Sequence, residues 1–237
     1  MKRPYIICHM LVSIDGKVTG DFLNTEEAVK ASEIYYDLNR NIPSQGFICG
    51  RVTMEESFTK GYYPDLTKYQ NIKIEKEDYI VHNNYEKYAI AFDRKGRLGW
   101  QKGILEDEDP GYNNMHIIEV LTENVKDEYL AYLQDIKISY IFAGEKELNV
   151  ELALEKLKTL FNINILLLEG GSIINGAFLK EDLVDELSLV YVPLLANKDD
   201  KPLFYDSKIK DFELISVDKI DNNVYTRYKV KHNANIL

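Results

Sequence analysis

The chain has 237 residues, with 29 lysines and arginines against 39 aspartates and glutamates, for a formal charge of −10. That balance gives no general attraction to nucleic acid, and without a long basic run an anionic ligand must be met by local basic groups or by backbone N–H groups. The apolar fraction of 45% supports a sizeable core, yet the apolar runs are too short for a bilayer span or a signal peptide, so the protein is expected to be soluble and cytoplasmic. Cys8 and Cys49, the only cysteines, lie in apolar runs and read as inert buried thiols of a reducing compartment.

In chain order, Tyr5 to Ile14 reads as a buried strand interrupted by His9, which is most simply a satisfied core histidine. Asp15-Gly16 is a turn signal, and Thr25-Glu26-Glu27-Ala28 opens a capped helix reaching about Asn39. Gly46–Cys49 is a short strand stopped by Gly50, and a helical turn or two follows from Arg51 to Phe58. Residues 59–78 read as a polar, tyrosine-rich loop with a single helical turn. Tyr79–His82, Lys87–Phe92 and His116–Leu121 read as strands, separated by a loop insertion at 93–114 that holds an acidic run, Glu106 to Asp109.

Helix 126–134, strand 138–142, amphipathic helix 149–160 and strand 165–168 follow. A helix over 172–180, a strand over 186–195 and a hairpin of 212–218 with 223–230 close the chain. Alternation of strands and helices predicts an α/β fold, with a mostly parallel central sheet, helices on both faces and an antiparallel C-terminal hairpin. No Pro-, Gly- or Ser-rich linker and no internal repeat appears, so residues 1–237 read as one domain.

The residues that could carry chemistry fall at expected strand ends, where open α/β sheets place their ligands. Leu166-Leu167-Leu168-Glu169-Gly170-Gly171-Ser172 is a buried strand running into a glycine turn and a helix start. Such a junction points N–H groups outward and suits an anionic group, with Ser172 in the N-cap position and able to reach a phosphate. Gly50-Arg51-Val52-Thr53 offers a close backbone approach, a guanidinium fork and a hydroxyl. It is neither a Walker loop nor a Rossmann fingerprint. Ser13-Ile14-Asp15-Gly16-Lys17 ends the first strand with an acid, a glycine and a base, and Ala143-Gly144 is a weaker strand-end turn. His9, His82, His116 and His232 show no paired metal-ligand spacing, so no metal is expected. Tyr62, Tyr63 and Trp100 could stack on a heterocycle, but loop anchoring is the plainer reading.

Ser13–Lys17, Gly50–Glu55 and Leu167–Gly171, with Gly176-Ala177-Phe178-Leu179 and Leu183-Val184-Asp185-Glu186-Leu187, resemble the reductase domain of the bifunctional riboflavin-biosynthesis deaminase–reductase. That domain has the dihydrofolate-reductase-like three-layer fold, and the resemblance runs from about residue 4 to 230 without the deaminase half. It implies an NADPH-dependent reductase acting by hydride transfer on a ribosylaminopyrimidine phosphate. Gly170, Gly171, Ser172 and Ile173 would lie at the pyrophosphate. Gly50, Arg51 and Thr53 would serve the adenosine side, Arg51 meeting the 2′-phosphate, with Gly144 also toward the cofactor. Lys17 and Glu169 match the family's catalytic positions, as proton donor and orienting carboxylate. Asp15 and Asp65 would meet substrate, Asp65 standing in for one acid of the family's Asp-Asp-Pro segment, whose nearby arginine has no counterpart here. The resemblance also implies a homodimer. A reductase of another heterocycle such as dihydrofolate, and a non-catalytic nucleotide-binding protein of the same fold, remain alternatives. Folate reductases keep an acid on the first helix, where the candidates are Glu26, Glu27, Glu33 and Asp37.

Overall fold

The structure, a computed structural model, describes residues 2–231; His232 lies outside them. The strands and helices, in chain order, are β1 (Tyr5–Ser13), α1 (Glu26–Asn41), β2 (Gly46–Gly50), α2 (Arg51–Met54), β3 (Tyr88–Phe92), β4 (Ile104–Leu105) and β5 (Met115–Leu121). Then come α3 (Asp127–Asp135), β6 (Ser139–Phe142), α4 (Val150–Phe161), β7 (Ile165–Leu168), α5 (Ser172–Lys180), β8 (Glu186–Val192), β9 (Phe212–Ile220) and β10 (Asn223–Val230). The fold is mixed α/β with mostly parallel strand pairs and an antiparallel C-terminal hairpin, as expected. Among the described residues no helix is long and apolar enough to cross a membrane.

Local chemistry explains the boundaries. Thr25 accepts a hydrogen bond from the Ala28 N–H at the start of α1, and Asn149 does the same for Leu152 N–H at the start of α4. α1 stops at Ile42, which precedes Pro43 and is extended, φ −75° and ψ 123°. β8 ends at Val192 rather than at 195, because Pro193 has no N–H to donate and the Leu194 N–H turns back to the Val192 carbonyl at 2.8 Å. The strand expected at Tyr79–His82 does not form. Tyr79 and Tyr140 exchange both backbone bonds as an isolated bridge, and the Val81 N–H then goes to the Ser139 hydroxyl instead of a ladder carbonyl.

The chain divides into two compact units, the first Met1–Pro4 with Ser44–Leu166 and the second Tyr5–Pro43 with Leu167–Leu237. In the first, β2 pairs with β3, β3 with β5 and β5 with β6, all parallel, and β4 joins β5 antiparallel. Every residue of β5 is buried. The 93–114 stretch is packed rather than loose, since Leu98, Trp100, Leu105 and Tyr112 are all buried. Trp100 Nε1 donates to the Glu119 carboxylate, so Trp100 is an anchor.

In the second unit β1 runs parallel to β8, β10 lies antiparallel to β8, and β9 closes the edge against β10. Phe22, Ala28, Ala31, Val190, Val192 and Tyr225 form a core between α1 and these strands. Cys8 and Cys49 are buried and not in a disulfide.

His9 is fully buried, its Nδ1 2.9 Å from Ser188 Oγ and its Nε2 3.1 Å from the Tyr35 carbonyl. His116 is fully buried in the first unit, with Nε2 2.7 Å from Ser139 Oγ. Burial pushes each imidazole down to about 4. Each is therefore neutral in the folded chain and protonated in the unfolded chain between about pH 6.5 and pH 4. The unfolded state binds more protons in that window, so stability falls as pH falls through it, by on the order of 3 kcal/mol per histidine. Urea unfolding at stepped pH should show this loss, and His9→Gln should flatten the slope by about one proton; an unchanged slope would mean that His9 is not held neutral.

Candidate active site

The turn after β1 builds itself from its own side chains. Ser13 Oγ donates to Asp15 Oδ1 at 2.7 Å and accepts from the Lys17 N–H at 2.9 Å, and Gly16 supplies φ +76°. Asp15 Oδ1 also accepts from the Ala196 N–H at 3.1 Å. The Ser13 hydroxyl first, and the Ala196 amide after it, hold the Asp15 carboxyl below its usual range. Lys17 Nζ donates to the carbonyls of Asp200 at 2.8 Å and Lys198 at 3.2 Å.

Those carbonyls belong to a strap, residues 196–206, that joins the turn to α5. Val18 N–H donates to the Lys201 carbonyl, Leu203 N–H to the Gly16 carbonyl and Tyr205 N–H to the Ser172 carbonyl, at 2.9 to 3.1 Å. The Ser172 hydroxyl donates to the Pro202 carbonyl, and Asn175 Nδ2 to the Leu203 carbonyl at 3.3 Å. The approach is so close that a Cβ on Gly176 would stand 1.8 Å from the Tyr205 carbonyl oxygen.

The glycine turn after β7 differs from expectation in one respect. The N-cap of α5 is Gly171, not Ser172, and no side chain caps the helix. Ser172 is 2% exposed and its hydroxyl is spent on the strap, so its side chain is unavailable to a phosphate and only its backbone can serve. Gly170 is buried with φ +102°, its peptide bond to Gly171 is cis, Gly171 is half-buried, and Ile173 is 65% exposed. The start of α5 therefore has no side-chain cap, and Ile173 brings it to the surface at the positive end of the helix dipole. Glu169 is 8% exposed, and its Oε1 accepts from Asn39 Nδ2 at 2.6 Å.

In the first unit, Gly50 is the N-cap of α2, and Arg51 and Thr53 are half-buried on it. The Arg51 guanidinium forms an ion pair with Glu55, one turn on. Beyond β3, the buried Asp93 carboxylate accepts from the N–H groups of Leu98, Arg97 and Lys95. Burial pushes Asp93 up, while those amides and Arg51 pull it down. Burial, then the charge of Asp93, push Glu119 well above the usual carboxylate range. Gly144, at φ +117°, carries its conformation for its own loop, since a Cβ there would meet the Glu147 carbonyl at 2.1 Å. Asp65 is exposed and accepts from the Thr67 N–H at 2.9 Å, closing a local turn.

Sequence reasoning passed over two features of this site. Residues 196–206 have no periodicity to read, and their role is made by backbone bonds. Asn39 stood inside a helix whose acids drew attention, yet of those acids Glu26 pairs with Lys30 and Asp37 with Arg40 on the exposed side. Asn39 is the buried polar residue of α1, and an amide in a buried helical register was the available signal.

The sequence family described as the RibD C-terminal domain matches residues 4–226. The chain is 24% identical over 207 residues to a 2,5-diamino-6-ribosylamino-4(3H)-pyrimidinone 5′-phosphate reductase of Methanothermobacter thermautotrophicus, covering 87% of this chain and 85% of that one. Its fold is similar to that of RibD from Acinetobacter baumannii, with a TM-score of 0.64 and 20% identity, over 98% of this chain and 59% of that chain. This chain thus spans about three-fifths of that RibD. A pyrimidine reductase-like protein of Corynebacterium diphtheriae matches with a TM-score of 0.68 and 16% identity, over 97% of this chain and 93% of that one.

Proposed function

We propose that this chain, which belongs to the RibD C-terminal domain family, is a reductase of riboflavin biosynthesis that uses NADPH to reduce the ribosyl group of a ribosylaminopyrimidine phosphate. One observation carries the reading: the N-terminus of α5 has no side-chain cap and reaches solvent, and the strap ties it to the turn that presents Lys17. An uncapped helix start behind a glycine pair fits a dinucleotide diphosphate, the anion this acidic chain has few basic groups to meet. When bound, the cofactor would supply the hydride.

The chain's own residues would do the rest. The backbone of Gly171, Ser172 and Ile173 would hold the diphosphate, and Gly50, Arg51, Thr53 and Gly144 are assigned to the cofactor by resemblance. Lys17 would donate the proton that accompanies reduction. An ammonium has more N–H groups than its two carbonyl partners, Lys198 and Asp200, consume. Glu169 would orient the reacting ring, and Asp15 and Asp65 would stand on the substrate side.

A homodimer is proposed along β9. This edge strand leaves Leu214, Ile215 and Val217 about half exposed, the kind of open edge that pairs with another strand. Antiparallel pairing about Ser216 would set Glu213 opposite Lys219 of the partner subunit, and would cover Ile215 and Val217.

Four outcomes are expected. Purified protein should bind a reduced nicotinamide by calorimetry and oxidise it with the pyrimidine acceptor but not with dihydrofolate. Lys17→Ala should keep cofactor affinity and lose turnover by roughly a hundredfold or more; turnover at the wild-type rate would refute the proton-donor role. Glu55→Gln should tighten NADPH by about threefold to tenfold and leave NADH unchanged, because the 2′-phosphate would no longer compete with Glu55 for Arg51; equal effects on both cofactors would remove Arg51 from the 2′-phosphate. Val217→Lys should convert a dimer to a monomer in sedimentation, and a monomeric wild type would eliminate the β9 interface.

A further inference from the structure

Ser13 is the last residue of β1 and is fully buried. A hydroxyl has one hydrogen to give and lone pairs to receive with, and here its partners fix both roles. The Lys17 N–H can only donate, at 2.9 Å, so it takes a lone pair. The ionised Asp15 carboxylate can only accept, at 2.7 Å, so it takes the hydrogen. One hydroxyl thus sets two residues of the same turn, the carboxylate of Asp15 and the backbone that carries the Lys17 ammonium. The tip of that turn is open. Ile14 is 60% exposed, Asp15 is exposed, and a Cβ added to Gly16 would meet nothing within 4 Å. The Ser13 hydroxyl is the largest influence that holds the Asp15 carboxyl below its usual range; the Ala196 amide of the strap follows, and the Lys17 charge comes last. Ser13 and Ala196 both meet Oδ1.

We propose that Ser13 is a positioning residue for the reduction, its buried hydroxyl fixing the Asp15 carboxylate beside Lys17 so that Oδ2 accepts from a neutral O–H or N–H of the pyrimidine substrate. The proposal rests on the reading that the turn after β1 faces substrate. The chemical class follows from charge. A carboxylate kept ionised can only accept, so it repels the substrate phosphate and takes a hydroxyl or amine hydrogen. An exposed aspartate is otherwise free to rotate, and ordering it at the moment of binding costs affinity. A buried hydroxyl that orders it beforehand removes that cost. A bond that served the fold alone would bear on stability and leave substrate recognition in the folded chain unchanged.

The test makes Ser13→Ala and Ser13→Cys in the full chain, each alone and together with Asp15→Asn. Ser13→Cys exchanges the hydroxyl for a weak thiol donor and leaves no cavity, so it decides on the same readouts if Ser13→Ala does not fold. In either variant the Asp15 carboxyl carbon, assigned in NMR spectra by its loss in Asp15→Asn, is expected to titrate at higher pH than in wild type, because the largest influence holding it down is gone. KM for the pyrimidine acceptor is expected to rise by about tenfold, while affinity for the reduced nicotinamide stays within about twofold. Combined with Asp15→Asn, the same Ser13 substitution is expected to change KM by less than about threefold, since the carboxylate it positions is already gone. An unmoved Asp15 midpoint overturns the proposal. So does an unmoved KM, or a KM increase as large with Asp15→Asn as without it. If wild type oxidises neither reduced nicotinamide with the acceptor, the reductase reading fails and takes the role with it, and a raised Asp15 midpoint in the variants marks that failure as separate from the Ser13 bond.

Discussion

Backbone hydrogen bonds from residues 201–205 to the turn after β1 and to the first turn of α5 are the constraint on which the second unit's rim depends. They leave the polar side chains of that rim little freedom. Ser13, Asp15, Ser172 and Asn175 all spend hydrogen bonds on the scaffold. Beside them stand the main chain of the glycine turn and the Lys17 ammonium, which is itself steadied by strap carbonyls. Under the proposed function, an acidic protein holding an anionic cofactor would gain from this division. Helix-end amides attract a diphosphate without adding basic side chains, and their position is fixed by the helix rather than by rotamers.

Much of this was legible in the sequence, and the reasons differ by element. α4 was readable because Val150, Leu154 and Leu157 fall at helical spacing and all three are buried. α1 was readable because Thr25 opens it. The glycine turn at 170–171 and the family resemblance were readable because backbone geometry there admits few residue types. The failures share a cause. Tyr79–His82 has the composition of a strand, but a strand needs a continuous partner, and Ser139 Oγ takes the bond that would have extended the ladder. Ser172 has the composition of a cap, but the helix begins one residue earlier than that role requires. In each case local propensity named a possibility and a distant residue decided it. A partner of Glu169 was hidden for the same reason, since Asn39 lies 130 positions away along the chain.

The first unit makes the opposite use of its polar side chains. Asp93 closes a turn with three backbone N–H groups, and Glu119 receives Trp100 and Tyr129 inside a fully buried strand. Both carboxyls are raised by burial. Together they fasten the start of the 93–114 stretch, where Leu98 and Trp100 are buried. Tyr129 adds to this by donating to the Leu98 carbonyl at 2.8 Å.

Trp100 has a consequence for spectroscopy. It is the sole tryptophan of the chain, it is 4% exposed, and it contacts a carboxyl that burial favours as the neutral acid. Its emission is thus an intrinsic reporter for the compact unit that holds β5. A fluorescence melt therefore follows the packing around β5, whereas the glycine turn and its strap need a probe placed among them.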